Sequence, residues 1–568
     1  MTINTMTAEE RQALADLLFP NVTKTPAEIE AQYPARDLPE SAWVSRFAPS
    51  PTGFIHIGGI FTALINRMLT SASGGAYILR IEDTDQNREI ERGVEQIIEA
   101  LARVDLLPDE GPISSDPVKQ RGAYGPYIQS DRFDIYQVYI KDMIANGTAY
   151  PCFMTNDELS AIREQQQREN NRPGIYGVWA RSRQLSLSDV ERKLANGEEF
   201  VVRIKAQVRP DAKISVRDKV RERLDLPANE LDSVLLKSDR FPTYHFAHVI
   251  DDYLMGVNIV LRGDEWIPSL PLHIQVLESI GAPIPMYAHF APIAKMDGDS
   301  RRKLSKRKDD EAAMTYYYER GYPQDAILEY LLNLANSNFE DWRADNPDAP
   351  YSEFPFDIDR MGRASSLFDM EKLTSVAREI IARYDAQTVY QQALAWAETY
   401  QPEMAERLSV DAEYSVRVFD IERGGDKPRK DLAKWDEIET YYGVLFDDLF
   451  AQYVPDGYAD APEIKPADMV ILLDYLIETV PQTVNEDKNE WIQRMRSYAL
   501  DNGYAKRRKD YEKDPDAYKG WFGDMMMAFR VALTGKTQTP DLYEMVRTMG
   551  EERVTARFQQ ARTYFAEL

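Results

Sequence analysis

Short apolar runs and helically spaced apolar positions follow one another in the first part of the chain. Residues 42–47 and 77–81 are apolar enough and short enough to predict two strands. Between them, the apolar residues that share one face of a predicted helix are Ile60, Phe61, Leu64, Ile65 and Met68. Gly74 and Gly75 end this helix. Strand, loop, helix and strand form one βαβ unit, which predicts a parallel sheet.

The rest of the chain divides by its pattern. Residues 8–19 predict a helical lead-in, residues 257–261 a further strand, and the spacing beyond residue 370 is helical throughout. We therefore expect an α/β protein with a parallel, Rossmann-like domain, an insertion and an all-α C-terminal part. The predicted segments are an N-terminal helical extension (1–40), the first half of the Rossmann-like domain (41–125), the inserted domain (126–235), the second half of the Rossmann-like domain (236–290), a connecting region (291–375) and a helical region (376–568).

Composition narrows the class of protein. The 568 residues are 43% hydrophobic, which allows several cores and argues against global disorder. The single cysteine, Cys152, excludes an intramolecular disulfide and a cysteine-cluster zinc site. The N-terminus lacks a signal-peptide core, and the most apolar later stretch, 469–477, is interrupted by Asp474. These features predict a cytoplasmic protein without a membrane span.

The net charge of −26 argues, taken alone, against a nucleic-acid partner. Basic residues nevertheless cluster at 301–308, 423–434 and 506–509. Each cluster taken singly is typical of a solvated surface. Together they lead us to expect a basic strip from the first cluster towards the C-terminal helices.

Two short segments carry the candidate chemistry. The segment RFAPSPTGFIHIGG at 46–59 is a loop that opens into a helix N-terminus, a common phosphate site. There Gly58 and Gly59 allow close approach, and His56 could donate to a phosphate oxygen. The segment KLSKR at 303–307 places Lys303, Lys306 and Arg307 where they could stabilise charge on leaving pyrophosphate. We predict that the two segments form one ATP site.

No protein nucleophile is evident, which suits a reaction whose attacking group belongs to a substrate. His245 and His248 could share a helix face, with His273 nearby, as metal ligands do. Ligand-like spacing is common by chance, so we predict no metal site.

The two segments resemble the two signatures of class I aminoacyl-tRNA synthetases. Within that class the chain resembles the bacterial glutamyl-tRNA synthetases, strongly over about 40–380 and again near the C-terminus. The stretches that carry the closer resemblance are IEDTD at 81–85, FPTYH at 241–245, RGDEW at 262–266, ALTGK at 532–536 and PDLY at 540–543.

The resemblance implies ligation of L-glutamate to tRNA-Glu through a glutamyl-adenylate, with release of pyrophosphate and AMP. It implies that 126–235 binds the tRNA acceptor end, that 291–375, which carries the KLSKR loop, contacts the tRNA stem, and that 376–568 binds the anticodon. The implied glutamate-binding residues are Arg46, Ala48, Ser50, Glu82, Tyr244, His248 and Arg262. The implied ATP-binding residues are His56, Gly58, Gly59, Glu265 and Lys306, and the implied catalytic residues are His56, Lys303 and Lys306.

The resemblance also sets cofactor and partner expectations. ATP implies Mg²⁺, whereas the zinc that some members hold through several cysteines is not expected with Cys152 alone. The expected partners are tRNA-Glu, ATP and L-glutamate, and a monomer is the default. His248 stands where some members carry Asn, which is a departure from the family pattern. Trp491, Arg494, Arg496 and 506–509 fit either anticodon contacts or ordinary core and surface positions.

Other functions stay open at this stage. A glutaminyl enzyme usually has Glu and Asn where this chain has Ser50 and Thr52. A glutamyl-queuosine enzyme and a small nucleotidyltransferase would both lack the helical C-terminal part. A relaxed enzyme that also charges tRNA-Gln, or an inactive tRNA-binding relative, remains as an alternative.

Overall fold

The computed structural model describes residues 6–53, 55–84, 90–207, 212–305, 307–425, 428–458 and 464–568. The chain forms two compact units. The first contains Met1–Tyr316 with Leu328–Asp369, and the second Tyr317–Ile327 with Met370–Leu568.

The predicted βαβ unit is present at the centre of the first unit. After the lead-in helices α1 (Ala8–Leu18) and α2 (Pro26–Glu30), the chain forms β1 (Val44–Phe47), α3 (Ile57–Ser73) and β2 (Ala76–Leu79). β1 and β2 pair in parallel, and the predicted apolar face of α3 is buried. Gly74 ends α3 at φ 66°, a left-handed conformation that glycine adopts without cost. The prediction of a parallel α/β core is confirmed.

The start of α3 differs from the prediction. The helix begins at Ile57 rather than after Gly59, so both glycines lie in its first turn. The cause is His56, whose side chain accepts a hydrogen bond from the backbone N–H of Gly59 and so caps the helix. The phosphate-binding end of α3 is therefore built around this histidine.

The first unit continues through further helices and strands. They are α4 (Gly93–Arg103), β3 (Gly111–Ser115), β4 (Val118–Arg121), α5 (Phe133–Ala145), β5 (Ala149–Cys152), α6 (Asn156–Arg168), α7 (Leu187–Ala195), β6 (Val201–Ile204), β7 (Lys213–Asp218), β8 (Glu222–Pro227), β9 (Val234–Leu236), α8 (Tyr244–Leu254), β10 (Ile259–Gly263), α9 (Leu270–Ser279), β11 (Met286–Phe290), β12 (Ala294–Asp297) and β13 (Ser300–Lys303). The next two helices, α10 (Met314–Arg320) and α11 (Gln324–Ala335), each contribute residues to both units, and α12 (Phe339–Asp345) belongs to the first.

Strand pairing places the elements that carry the site. β10 and β11 pair in parallel, and Asn258 at the start of β10 binds Val44, which sets β10 beside β1. β5, β6 and β9 form a separate antiparallel sheet within the segment expected to be an insertion. β7, from the same segment, instead joins β11 at the pair Asp218–Tyr287. Nothing in the sequence pattern indicated this last pairing.

The second unit is helical, as predicted. Its further helices are α13 (Met370–Arg383), α14 (Ala386–Tyr400), α15 (Pro402–Val410), α16 (Ala412–Asp420), α17 (Ile438–Tyr442), α18 (Asp447–Gly457), α19 (Pro466–Thr479), α20 (Lys488–Asp501), α21 (Arg508–Lys513), α22 (Phe522–Thr534) and α23 (Leu542–Ala566). Trp491 is buried in its core against Phe529 and Tyr543, so the core alternative is the one observed for this residue. Across the described ranges, no helix is both long and apolar enough to cross a membrane.

Candidate active site

A cavity of about 770 Å³ opens at the carboxyl ends of β1, β2 and β10. Ligands of parallel α/β sheets bind at this edge. The predicted site residues on its wall are Arg46, Ala48, Ser50, His56, Gly58, Gly59, Glu82, Tyr244, Arg262, Glu265 and Lys303. The fold thus brings together residues that are far apart in the chain. Lys306 lies outside the described residues.

His56 caps α3 and faces this cavity. Its Nδ1 accepts from the N–H of Gly59 at 3.1 Å, so the neutral ring carries its proton on Nε2 and can donate there. A Cβ at Gly58 would lie 2.9 Å from the His56 ring, so only glycine lets the ring fold over the first turn. A helix N-terminus with an additional N–H donor is suited to a phosphate group.

Arg80 is fully buried and lies at the centre of a cluster of carboxylates beside the cavity. Arg80 donates to Asp252 at 2.7 Å and to Glu82 at 3.0 Å, and its Nε lies 3.7 Å from Asp251. Asp252 also accepts from Arg46 at 2.9 Å. Burial alone would lower the pKa of Arg80, but the three acids outweigh it and hold the pKa above its ordinary value.

Arg80 and Asp252 are not among the predicted site residues. The available sign was a charged residue inside an apolar run, in YILRI at 77–81 and in HVIDDYL at 248–254. Such residues are almost never fully buried unless they are paired. Their partners come from distant parts of the chain, which the sequence pattern does not show.

Glu82 lies at the end of β2 and is 5% exposed. Burial raises its pKa to about 7, and Arg80 and Arg46 offset part of this rise. The neighbouring Asp83 instead binds the N–H and hydroxyl of Ser130. Glu82 is therefore the acid at this sheet edge that a cationic group could reach.

Arg262 is the last residue but one of β10 and is 5% exposed. Its Nε donates to His289 Nε2 at 3.0 Å, and Nη1 donates to His273 Nδ1 at 3.2 Å. Its buried Nη2 has no hydrogen-bond partner among the described residues, and no described carboxylate forms an ion pair with it. Burial lowers the pKa of Arg262. The arrangement leaves a buried cation ready for an anionic ligand.

Tyr244 stands beside Arg262 on the cavity wall. Its ring lies 4.5 Å from Trp266 and stacks on His248 at 4.8 Å. His248 is 2% exposed, and its Nδ1 donates to the carbonyl of Tyr244. The structure thus places His248 behind Tyr244 rather than on the cavity wall, because its bond to the preceding helical turn directs its ring against Tyr244.

His245 and His273, two of the histidines whose spacing is compatible with metal ligands, form a hydrogen bond with each other at 2.9 Å. Within the described ranges, no group of three or more His, Cys, Asp or Glu side chains is arranged to hold a metal ion.

Comparison with known proteins places this site in a family. The family model for the catalytic domain of class I tRNA synthetases (E and Q) matches residues 43–347, and one for an anticodon-binding domain matches 518–562. The chain belongs to this class I synthetase family. It is 44% identical to a glutamate–tRNA ligase of Clostridium perfringens, over 96% of this chain and 98% of the relative. It is 42% identical to the glutamate–tRNA ligase of Acetivibrio thermocellus, over 96% and 99%.

A solved structure agrees with this placement. The glutamate tRNA ligase of Elizabethkingia meningosepticum, in complex with its amino acid, superposes with a TM-score of 0.70. The two proteins are 27% identical, and the match covers 92% of this chain and 99% of the other.

The second synthetase signature begins on the hairpin formed by β12 and β13. Lys303 Nζ binds Glu265 at 2.7 Å, and the two side chains are 56% and 46% exposed. Burial opposes ionisation of Glu265, but Lys303 holds its pKa below the ordinary value. Asp309 accepts from both Arg302 and the N–H of Ser305, which fixes the chain beyond the hairpin. The signature is thus tied to the cavity through Glu265.

Proposed function

We propose that this synthetase joins L-glutamate to tRNA-Glu in two steps. The α-carboxylate of glutamate attacks the α-phosphorus of ATP, the bond to the β-phosphate oxygen breaks, and glutamyl-adenylate and pyrophosphate form. A hydroxyl of the terminal adenosine of tRNA then attacks the glutamyl carbonyl, and AMP leaves. Both nucleophiles come from substrates, so the protein acts through positioning and charge stabilisation.

The observation that carries the proposal is the buried, carboxylate-free Arg262. The side-chain carboxylate of glutamate supplies the anion that this guanidinium lacks, through charge-assisted hydrogen bonds. Tyr244 lies beside this position, and Glu82, when ionised, binds the ammonium group. Arg46, Ala48 and Ser50 line the same cavity and complete the proposed amino-acid site.

The same geometry favours glutamate over glutamine. A bound glutamine would leave Arg262 buried without an anion, and an unpaired buried charge is costly. Sites that hold buried polar groups reject a substrate lacking the matching group far more strongly than apolar pockets reject one methylene. Selectivity for the acid therefore follows from Arg262 together with its burial.

ATP takes the other end of the cavity. Its phosphates bind at the N-terminus of α3, where Gly58 and Gly59 provide close approach and His56 donates from Nε2. Lys303 and Lys306 stabilise the charge that develops on pyrophosphate, and Glu265 contacts the nucleotide. Mg²⁺ enters with ATP as part of the substrate. Lys303 must leave Glu265 to reach the phosphates, since the two are paired in this structure.

We further propose that the helical 376–568 region binds the anticodon, consistent with the family match at 518–562. The enzyme acts as a cytoplasmic monomer. Size-exclusion chromatography with light scattering tests the monomer, for which the expected mass is 65.3 kDa.

The test of function is transfer of labelled glutamate to purified tRNA-Glu and to tRNA-Gln in separate reactions, with labelled glutamine as the control. We expect glutamate to be transferred to tRNA-Glu and glutamine to neither. Transfer to tRNA-Gln as well would show a relaxed anticodon site. Absence of any glutamate transfer by folded protein would contradict the proposal and favour a tRNA-binding protein without catalysis.

A further inference from the structure

Arg262 is held by imidazoles, although arginine in proteins is usually paired with carboxylates. Two of its three nitrogens donate to His289 and His273, and its guanidinium carbon lies 5.3 Å from the centre of the Tyr287 ring. A neutral imidazole satisfies an N–H donor without cancelling the positive charge, whereas a carboxylate would do both. The cation is therefore fixed in place and still electrostatically unpaired.

The bonding partners determine the proton positions on both rings. A guanidinium only donates hydrogen bonds, so His289 Nε2 and His273 Nδ1 must accept. His289 then carries its proton on Nδ1 and donates it to Asp218 at 2.6 Å. His273 carries its proton on Nε2 and donates it to His245 Nδ1 at 2.9 Å. The two histidines thus use opposite ring nitrogens towards Arg262.

Asp218 accepts the hydrogen bond from His289 as an ionised carboxylate and does not take up the proton. Its carboxylate accepts from the backbone N–H groups of Val220 at 3.0 Å, Arg221 at 2.8 Å and His289 at 3.1 Å. Although burial opposes it, the hydrogen bonds from His289 and Arg221 keep the pKa of Asp218 below its ordinary value. Burial lowers the pKa of His289, and that of His273 lies well below its ordinary value for the same reason. Both rings are therefore neutral.

We propose that His289 and His273 are positioning residues that orient Arg262 for the substrate carboxylate while leaving its charge unpaired, with Asp218 and His245 fixing their tautomers. This inference rests on the proposed function. It assigns glutamate recognition partly to Asp218 on β7, a strand from the segment expected to be an insertion, which reaches the site through its pairing with β11.

The two histidines accept from Arg262 through different ring nitrogens. Asn and Gln substitutions should therefore have opposite effects at the two positions. A glutamine side chain places an acceptor oxygen near the position of histidine Nε2, and an asparagine near that of Nδ1. His289→Gln therefore keeps an acceptor for Arg262, whereas His289→Asn loses it. At the other ring, His273→Asn keeps the acceptor and His273→Gln loses it.

The measurement is steady-state charging of tRNA-Glu by the full chain, with KM determined for glutamate and for ATP. The two acceptor-losing variants should raise the glutamate KM by about 10- to 100-fold, the range for losing a hydrogen bond to a charged group. The acceptor-keeping variants should remain within about 3-fold of the parent, and the ATP KM and kcat should change little. A role in packing alone would not reverse the order of Asn and Gln between the two positions.

Equal effects of Asn and Gln at each position, or a parallel rise in the ATP KM, would overturn the inference. A second measurement on the unmutated protein needs no variant to fold. Nitrogen-15 NMR of histidine-labelled protein at pH 7 should show His289 neutral with its proton on Nδ1 and His273 neutral with its proton on Nε2. Doubly protonated rings would contradict the inference. If the unmutated protein charges no glutamate, it is the proposed function that fails.

Discussion

Two buried arginines a few strands apart show opposite uses of the same side chain. Arg80 is surrounded by Asp252, Glu82 and Asp251, and ion pairs within the fold neutralise its charge. Arg262 is also buried, but it donates hydrogen bonds to two imidazoles and contacts no described carboxylate. The carboxylates raise the pKa of Arg80 against its burial, whereas burial lowers the pKa of Arg262.

The difference separates a structural charge from a functional one. A buried cation without an anion costs free energy, so a fold keeps one where a ligand supplies the anion. Arg80 instead links the end of β2 to α8. It donates hydrogen bonds to Asp252 and Glu82, two acids beside the proposed amino-acid site. Burial alone therefore does not identify a binding arginine, but burial together with the missing carboxylate does.

The largest expected effect is on stability, at Arg80. Arg80→Gln leaves Glu82 without its closest cation and weakens the pairing of Asp251 and Asp252, so the free energy of unfolding should fall by about 3–5 kcal/mol. Denaturant unfolding followed by circular dichroism measures this. The matched variant Arg262→Gln breaks no ion pair and should change stability by less than half as much. Equal losses at the two arginines would contradict the distinction.

The next effect is on catalysis, at Arg262. Arg262→Gln removes the only cation proposed for the substrate side chain, so kcat/KM for glutamate should fall by about 30-fold or more, the range for truncating a buried charge pair. Arg262→Lys should restore little, since lysine cannot reproduce the planar fork. Charging assays with varied glutamate measure this, with the ATP KM as the internal control. A loss below about 3-fold would place the carboxylate elsewhere.

The glutamate KM should depend on pH through Glu82, one of the acids that pair with Arg80. Burial holds the pKa of Glu82 at about 7, so Glu82 becomes protonated as the pH falls below that value and can no longer pair with the ammonium group. The glutamate KM should then rise about tenfold per pH unit below 7. Initial rates between pH 5.5 and 8 test this. The variant Glu82→Gln should have a high KM that no longer varies over this range, and an unchanged slope would assign the titration to another group.

The smallest effect is expected at an exposed ion pair. Lys303 and Glu265 are about half exposed, so Lys303→Gln should alter the free energy of unfolding by at most about 1 kcal/mol. It should nevertheless lower kcat, because Lys303 is proposed to reach the ATP phosphates. The two measurements on one preparation separate these roles. A large loss of stability with normal kcat would make Lys303 structural.

The features that could be predicted from the sequence are those that depend on neighbouring residues, such as apolar spacing and contiguous motifs. Spaced apolar residues predicted α3 and the strands beside it, and contiguous motifs supplied eleven predicted site residues that line the cavity. The start of α3 was missed because a side-chain cap, His56, decides it.

The unpredictable part depends on long-range pairing. Asp218 reaches His289 because β7 pairs with β11, and Asp252 reaches Arg46 because α8 shares a hydrophobic core with β1 and β2. Neither pairing leaves a periodic mark in the sequence. Of the three histidines considered as metal ligands, His245, His248 and His273, the structure uses His273 as an acceptor for the guanidinium of Arg262, together with His289, which the sequence pattern did not single out.

The most direct test is a crystal structure of the protein with L-glutamate bound. We expect the side-chain carboxylate to lie within about 2.7–2.9 Å of Nη2 of Arg262, the distance of a charge-assisted hydrogen bond. His289 and His273 should keep their bonds to Nε and Nη1. A carboxylate bound to Arg46 or to the phosphate end of the cavity, with Nη2 of Arg262 still unpartnered, would contradict it.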